Sequence, residues 1–166
     1  METLQASGVG VQARSRWYRS APVPPSDQPW FVNAVASLET GLSPAELLAK
    51  LHEIEAAFGR TRLGRNEARV LDLDLLAYHG RVSAPGESPV LPHPRLAERA
   101  FVVLPLAELA PGWQHPVSGL SASQLASLGR GDLEILADLQ ELNADLDRTD
   151  PENGAVTRPQ SVMSAR

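Results

Sequence analysis

FVNAVASLETGLSPAELLAKLHEIEAAFGRTRLGRNEARVLDLDLLAY, residues 31–78, holds a strand, a helix, an aperiodic loop and a second strand in one run. In residues 31–40, Phe31, Asn33, Val35 and Ser37 share one face of a strand. Val32, Ala34, Ala36 and Leu38 share the other, so both faces need cover. Ser43-Pro44-Ala45-Glu46 starts a helix on three agreeing grounds: a serine cap, a proline at the first helical position and a glutamate placed for a capping box. Leu47, Leu48, Leu51, Ile54, Glu55 and Phe58 repeat at helical spacing until Gly59 ends the helix. GRTRLGRNEAR, 59–69, has no periodicity and reads as a mobile loop, whereas VLDLDLLAY, 70–78, alternates as a strand does.

Outward from this run the signals are weaker. VQARSRWYRS, 11–20, reads as one strand, and Pro22, Pro24 and Pro25 break the chain after it. His79-Gly80 predicts a hairpin turn into Arg81-Val82-Ser83. PRLAERAFVVLPLAEL, 94–109, predicts a helix with a break near Pro105, and SASQLASL, 121–128, a short helix. RTDPENGAVTRPQSVMSAR, from 148 on, has too little apolar content to pack. The expected organisation is one domain, 1–148, and a disordered polar tail, 149–166.

The 166 residues suffice for one domain, and a hydrophobic share of 43% with 21% charged is that of a soluble globular chain. The absence of cysteine excludes disulfides, thiolate zinc sites and a cysteine nucleophile. Neither a membrane-spanning run nor a signal-peptide pattern is present, so a cytoplasmic protein without a membrane partner is expected. The net charge of −5 lies wholly in residues 131–166, with 8 acids and 3 bases; residues 1–130 hold 12 of each. Of the 15 bases only Lys50 is a lysine, and arginine's planar fork grips phosphate or carboxylate in two places.

Asp72 and Asp74 stand at i and i+2, so a strand points them the same way, roughly 6.5–7 Å apart at their alpha carbons. Carboxylates so placed can hold one or two magnesium ions around a phosphoryl group; equally, they can be the wet face of an edge strand. Arg60, Arg62, Arg65 and Arg69 precede them, and four guanidinium groups in ten residues repel one another unless anions lie between. A metal-bound polyphosphate is the natural guest, with a basic loop contacting nucleic acid or the acidic tail as the other reading. No GxxxxGK[ST] loop is present. His93 lies between two prolines in LPHPRLAERAF, 91–101, with Arg99 and Phe101 close behind. Asn33 on a buried strand face needs a hydrogen-bonding partner, from the protein or from a heteroaromatic ligand.

In this order the pieces resemble the 6-hydroxymethyl-7,8-dihydropterin pyrophosphokinase family. The resemblance runs from Ser15 to Pro111 and rests on WYRSAPVPPSDQPWFVNAVASLET, LHEIEAAFGRTR, RVLDLDLLAY and LPHPRLAERAFVVLPLAELAP. It implies a ferredoxin-like α/β (α+β) sandwich with a largely antiparallel sheet, and pyrophosphoryl transfer from ATP to the pterin hydroxymethyl group with release of AMP. By the same resemblance Asp72 and Asp74 hold two Mg2+ ions, and Arg60, Arg62 and Arg69 are catalytic arginines of the loop and its base. His52, Glu55, Arg60, Arg65, Leu75, His93 and Arg99 meet ATP. Ser20, Pro22, Val23, Phe31, Asn33 and Phe101 meet the pterin, Phe31 and Phe101 forming an aromatic slot.

Asn66 and Ala68 depart from the tryptophan and proline that many members carry in the loop. Members also begin with an apolar central strand, for which METLQASG offers no counterpart. The expectation is therefore a three- or four-stranded sheet with a gap beside 31–40 or 70–78, unless a segment such as 132–142 fills it. A non-catalytic pterin- or nucleotide-binding remnant is the alternative function. A nucleic-acid partner is not expected, because aromatics do not interleave with the arginines, and a monomer is expected.

Overall fold

The computed structural model describes residues 9–21, 30–58 and 71–128, together with two backbone strands at 133–136 and 158–165. Its elements are β1 (Gly10–Arg14), β2 (Trp17–Ser20), β3 (Phe31–Glu39), α1 (Pro44–Ala57), β4 (Leu73–Tyr78), α2 (Ala100–Leu109), α3 (Ala122–Leu128), β5 (Leu133–Leu136) and β6 (Arg158–Ala165). A 3-10 turn, Leu96–Glu98, leads into α2. The fold is α+β, with helices on both faces of a mixed sheet.

Helix α1 begins as its sequence requires. The Ser43 N–H donates to Glu46 Oε2 at 2.8 Å, and Ser43 Oγ accepts from the Glu46 N–H, closing the capping box. Ser43→Ala is expected to lower stability by about 1 kcal/mol. That is a fall of roughly 2–4 °C in a thermal melt of a chain this size.

β3 is covered on both sides. Ala36 and Leu38 pack with Leu47, Leu51 and Ile54 of α1 and with Leu73 and Leu75 of β4. Val35 points the other way, into a second cluster with Leu76, Leu96, Val102, Val103, Leu106, Ala122 and Leu125 under α2 and α3. On β4 the alternation puts Leu73 and Leu75 toward α1, leaving Asp72, Asp74 and Leu76 to the α2 face.

Several sequence expectations are corrected. Residues 11–20 form two strands, because the register against β3 slips by one residue between Arg14↔Ala36 and Tyr18↔Asn33. Ser15 fills the break: its N–H donates to Val35 O at 2.9 Å and its Oγ accepts from the Val35 N–H at 3.0 Å. β4 starts at Leu73, one residue after Asp72. After the turn at His79-Gly80 the chain runs as a loop, not as a paired strand. Pro105 lies inside α2 without breaking it, since Val102, Val103 and Leu106 on either side are anchored in the core.

The largest correction concerns the sheet. Six strands run in the order β4-β6-β3-β2-β5, with β1 also on β3. Residues 158–165, expected to be disordered, form the strand between β3 and β4, parallel to both. The expected gap is filled, and β3-α1-β4 becomes a crossover between parallel strands. RPQSVMSA is too polar to announce itself, but an inner slot is filled by main-chain pairing, and β3 and β4 each present an unpaired row to it. Residues 133–136 do not fill that slot; β5 pairs with β2 at the far side.

Candidate active site

β4 sets the aspartates. The main-chain N–H of Leu73, the residue between them, donates to Glu55 Oε1 at 2.8 Å. Glu55 is 1% exposed in the last turn of α1, so a buried carboxylate fixes the entry of β4 and hence the direction of its acids. Asp74 meets Arg99, whose Nη1 donates to Asp74 Oδ2 at 3.1 Å. The guanidinium also lies 5.5 Å from the centre of the Phe101 ring. Arg99 is the residue before α2, where Phe101 and the following turn hold it over the sheet.

His93 joins this neighbourhood from the loop before α2. Its N–H donates to Leu76 O at 2.7 Å, and its Nδ1 accepts from the Arg95 N–H at 3.1 Å. With Nδ1 accepting, the neutral ring carries its proton on Nε2. Burial, joined by Arg99 and Arg95, lowers the imidazole below the usual histidine value against the pull of Asp74 and Asp72. At neutral pH the ring is therefore an uncharged donor. Arg95 belongs to this group of charges although it was not singled out from sequence; the basic residue two places after His93 is the signal that could have marked it.

On the same face of the sheet stands Asn33. Its Nδ2 donates to Ser20 Oγ at 2.9 Å and lies 3.4 Å from the carbonyl oxygens of Tyr18 and Phe31. The side chain is 0% exposed, and Oδ1 is a buried acceptor without a partner. Opposite Asn33 lies Gln160 of β6, and opposite Leu73 lies Ser161. The amide and the aspartates are therefore level on the sheet, two strand spacings or about 10 Å apart. Phe31 and Phe101 are both half-buried.

The structure thus brings together Asp72, Asp74, His93, Arg99 and Phe101, with Ser20, Phe31 and Asn33 one step along the sheet. It separates others. His52 is exposed on α1, while the side chains of Glu55 and Leu75 are buried toward the α1 core. Pro22, Val23, Arg60, Arg62, Arg65 and Arg69 lie outside the described residues. Among the described residues no group of three or more His, Asp or Glu is gathered to hold a metal ion. An aspartate pair still suits magnesium, which keeps several waters and is commonly held by one or two carboxylates plus substrate phosphates.

Paired carboxylates, guanidinium groups and a neutral imidazole on one sheet face are the equipment of phosphoryl transfer on a metal-bound polyphosphate. Residues 1–111 match the family described as 7,8-dihydro-6-hydroxymethylpterin-pyrophosphokinase (HPPK), and the chain belongs to that family. A 2-amino-4-hydroxy-6-hydroxymethyldihydropteridine pyrophosphokinase of Methylorubrum extorquens is 49% identical over 112 residues, 67% of this chain and 70% of that protein. The Synechocystis protein of the same name is 43% identical over 124 residues, 75% of this chain and 63% of its own length. That of Haemophilus influenzae is 45% identical over 106 residues, covering 64% and 66%.

Proposed function

We propose that this chain transfers the pyrophosphoryl group of ATP to the hydroxymethyl group of 6-hydroxymethyl-7,8-dihydropterin, releasing AMP, in folate biosynthesis. The observation that carries the reading is the level placement of Asp72–Asp74 and Asn33 on one face, beside His93 and Arg99. Asp72 and Asp74 would hold two Mg2+ ions, which would supply charge neutralisation on the polyphosphate. The pterin oxygen forms its bond to the β-phosphorus as the bond from that phosphorus to the α-phosphate oxygen breaks, and the hydroxyl proton leaves to solvent.

The residues hold and orient. His93 donates from Nε2 to a phosphate oxygen. Arg99 moves from Asp74 to the phosphates as negative charge shifts among them. Arg60, Arg62 and Arg69 act on that charge, with Arg65 on the ATP side; Glu55, buried beneath β4, sets the entry of that strand instead of meeting ATP. Asn33 Oδ1 accepts from an N–H of the pterin edge. Ser20, Pro22 and Val23 flank that edge, and the ring lies against Phe31 and Phe101. The working protein is a cytoplasmic monomer, and its domain includes β6.

AMP formation, followed with and without the pterin, tests the reading. AMP is expected only with ATP, magnesium and the pterin all present; ADP as the product, or AMP without pterin, would overturn it. Asn33→Ala is expected to raise the KM for the pterin by roughly tenfold or more through loss of one hydrogen bond in a dry site, with the KM for ATP little changed. Steady-state kinetics with each substrate varied in turn checks this.

A further inference from the structure

Glu108, one residue from the end of α2, sits at the opposite end of that helix from Phe101 and Arg99. Its Oε1 accepts from the Arg16 N–H at 2.9 Å and faces Arg16 Nε at 3.3 Å. Its Oε2 accepts from Tyr18 Oη at 2.5 Å. Burial raises the Glu108 carboxyl, but the Tyr18 hydroxyl and the Arg16 N–H and guanidinium outweigh it and leave the group below the usual range. The Tyr18 hydroxyl, buried and bonded to that carboxylate, is pushed up to about 12. Carboxylate and hydroxyl thus keep their roles as acceptor and donor at physiological pH.

Tyr18 and Ser20 share the buried face of β2, and both meet the Asn33 amide: Ser20 through Oγ, Tyr18 through its main-chain oxygen. The carbonyls of Tyr18 and Phe31 decide which way the amide faces, since two acceptors repel an oxygen and accept an NH2 group. Oδ1 is therefore turned away from β2. A shift of β2 by a fraction of an ångström would loosen that choice and let the amide turn over.

We propose that Glu108, through Tyr18, is a positioning residue for substrate recognition. It pins β2 to the helix that carries Arg99 and Phe101, and so holds the Asn33 oxygen outward. This rests on the reading of Asn33 as the pterin-edge residue. Supporting groups behind a ligand contact commonly govern its aim in this way.

Tyr18→Phe, which keeps the ring, and Glu108→Gln test the proposal in the whole chain. The KM for the pterin is expected to rise about three- to tenfold in each, with that for ATP unchanged. The side-chain amide NMR signals of Asn33, assigned by their loss in Asn33→Ala, should shift or exchange faster in both variants without any ligand. A joint rise of both KM values with a fall in melting temperature would mean a merely structural contact and overturn the proposal. So would unmoved amide signals, or moved signals with an unchanged pterin KM while Asn33→Ala raises it. If Asn33→Ala itself leaves the pterin KM unchanged, the reading of Asn33 fails instead, and the amide signals still judge the positioning. Should Glu108→Gln fail to fold, Tyr18→Phe decides alone.

Discussion

Asp72→Asn and Asp74→Asn proteins are expected to lose at least about a hundredfold in turnover while folding normally. Each exchange removes negative charge from the phosphate side of the site without removing volume from the core, since both side chains are only half-buried and turned away from α1. Asp74→Asn also leaves Arg99, now bonded at 3.1 Å, with a neutral partner, which partial exposure to water makes tolerable. Melting curves should move by a few degrees at most, and AMP release should collapse. Near-normal turnover in either variant at ordinary magnesium would remove the aspartates from the chemistry.

Ending the chain at residue 157 is expected to cost most of the stability, because it empties an inner position of the sheet. All eight register partners of β6 on β3, Phe31 to Leu38, lose that neighbour, and Leu73, Asp74, Leu75 and Tyr78 lose theirs. At about 1 kcal/mol net for each hydrogen bond lost, several kcal/mol disappear from a total that is typically 5–15 kcal/mol. A fall of roughly 10 °C or more in melting temperature, or loss of a cooperative transition, is the expected result. A shortened chain melting within about 2 °C of the full one would show that β6 adds little. This reverses what polarity alone suggests for that segment.

The parts of the fold legible in sequence are those set by neighbours along the chain. α1 announces its start because Ser43, Pro44 and Glu46 act within one turn. β3 announces two-sided burial because both of its faces carry apolar side chains. The break at Ser15 is invisible, since it depends on Val35, a residue that sequence spacing does not bring near. β6 is invisible for the same reason in stronger form: its place comes from the main chains of β3 and β4, and nothing in its side chains requires it. At the site, the i,i+2 spacing showed the aspartates, and LPHPRLAERAF showed His93 and Arg99, whose roles the family resemblance supplied. Glu55 stood in the helical repeat like any core-facing residue, so its hold on the Leu73 N–H could not be read there. Glu108 and Tyr18 are far apart in sequence and carry no motif.

If the bare oxygen of Asn33 meets the pterin edge as proposed, it works by exclusion as much as by attraction. A ring that brings an N–H to it completes a buried amide; a ring of the same size and shape without that hydrogen must leave the oxygen dry and unanswered. Sites built around a required hydrogen bond reject the analogue lacking it by ~10⁴–10⁵, whereas an extra methylene in an apolar pocket is felt only about 10–200-fold. On the proposed reading, one atom held away from β2 would therefore let the enzyme ignore the many flat heteroaromatics of a cell that match the pterin in size and shape.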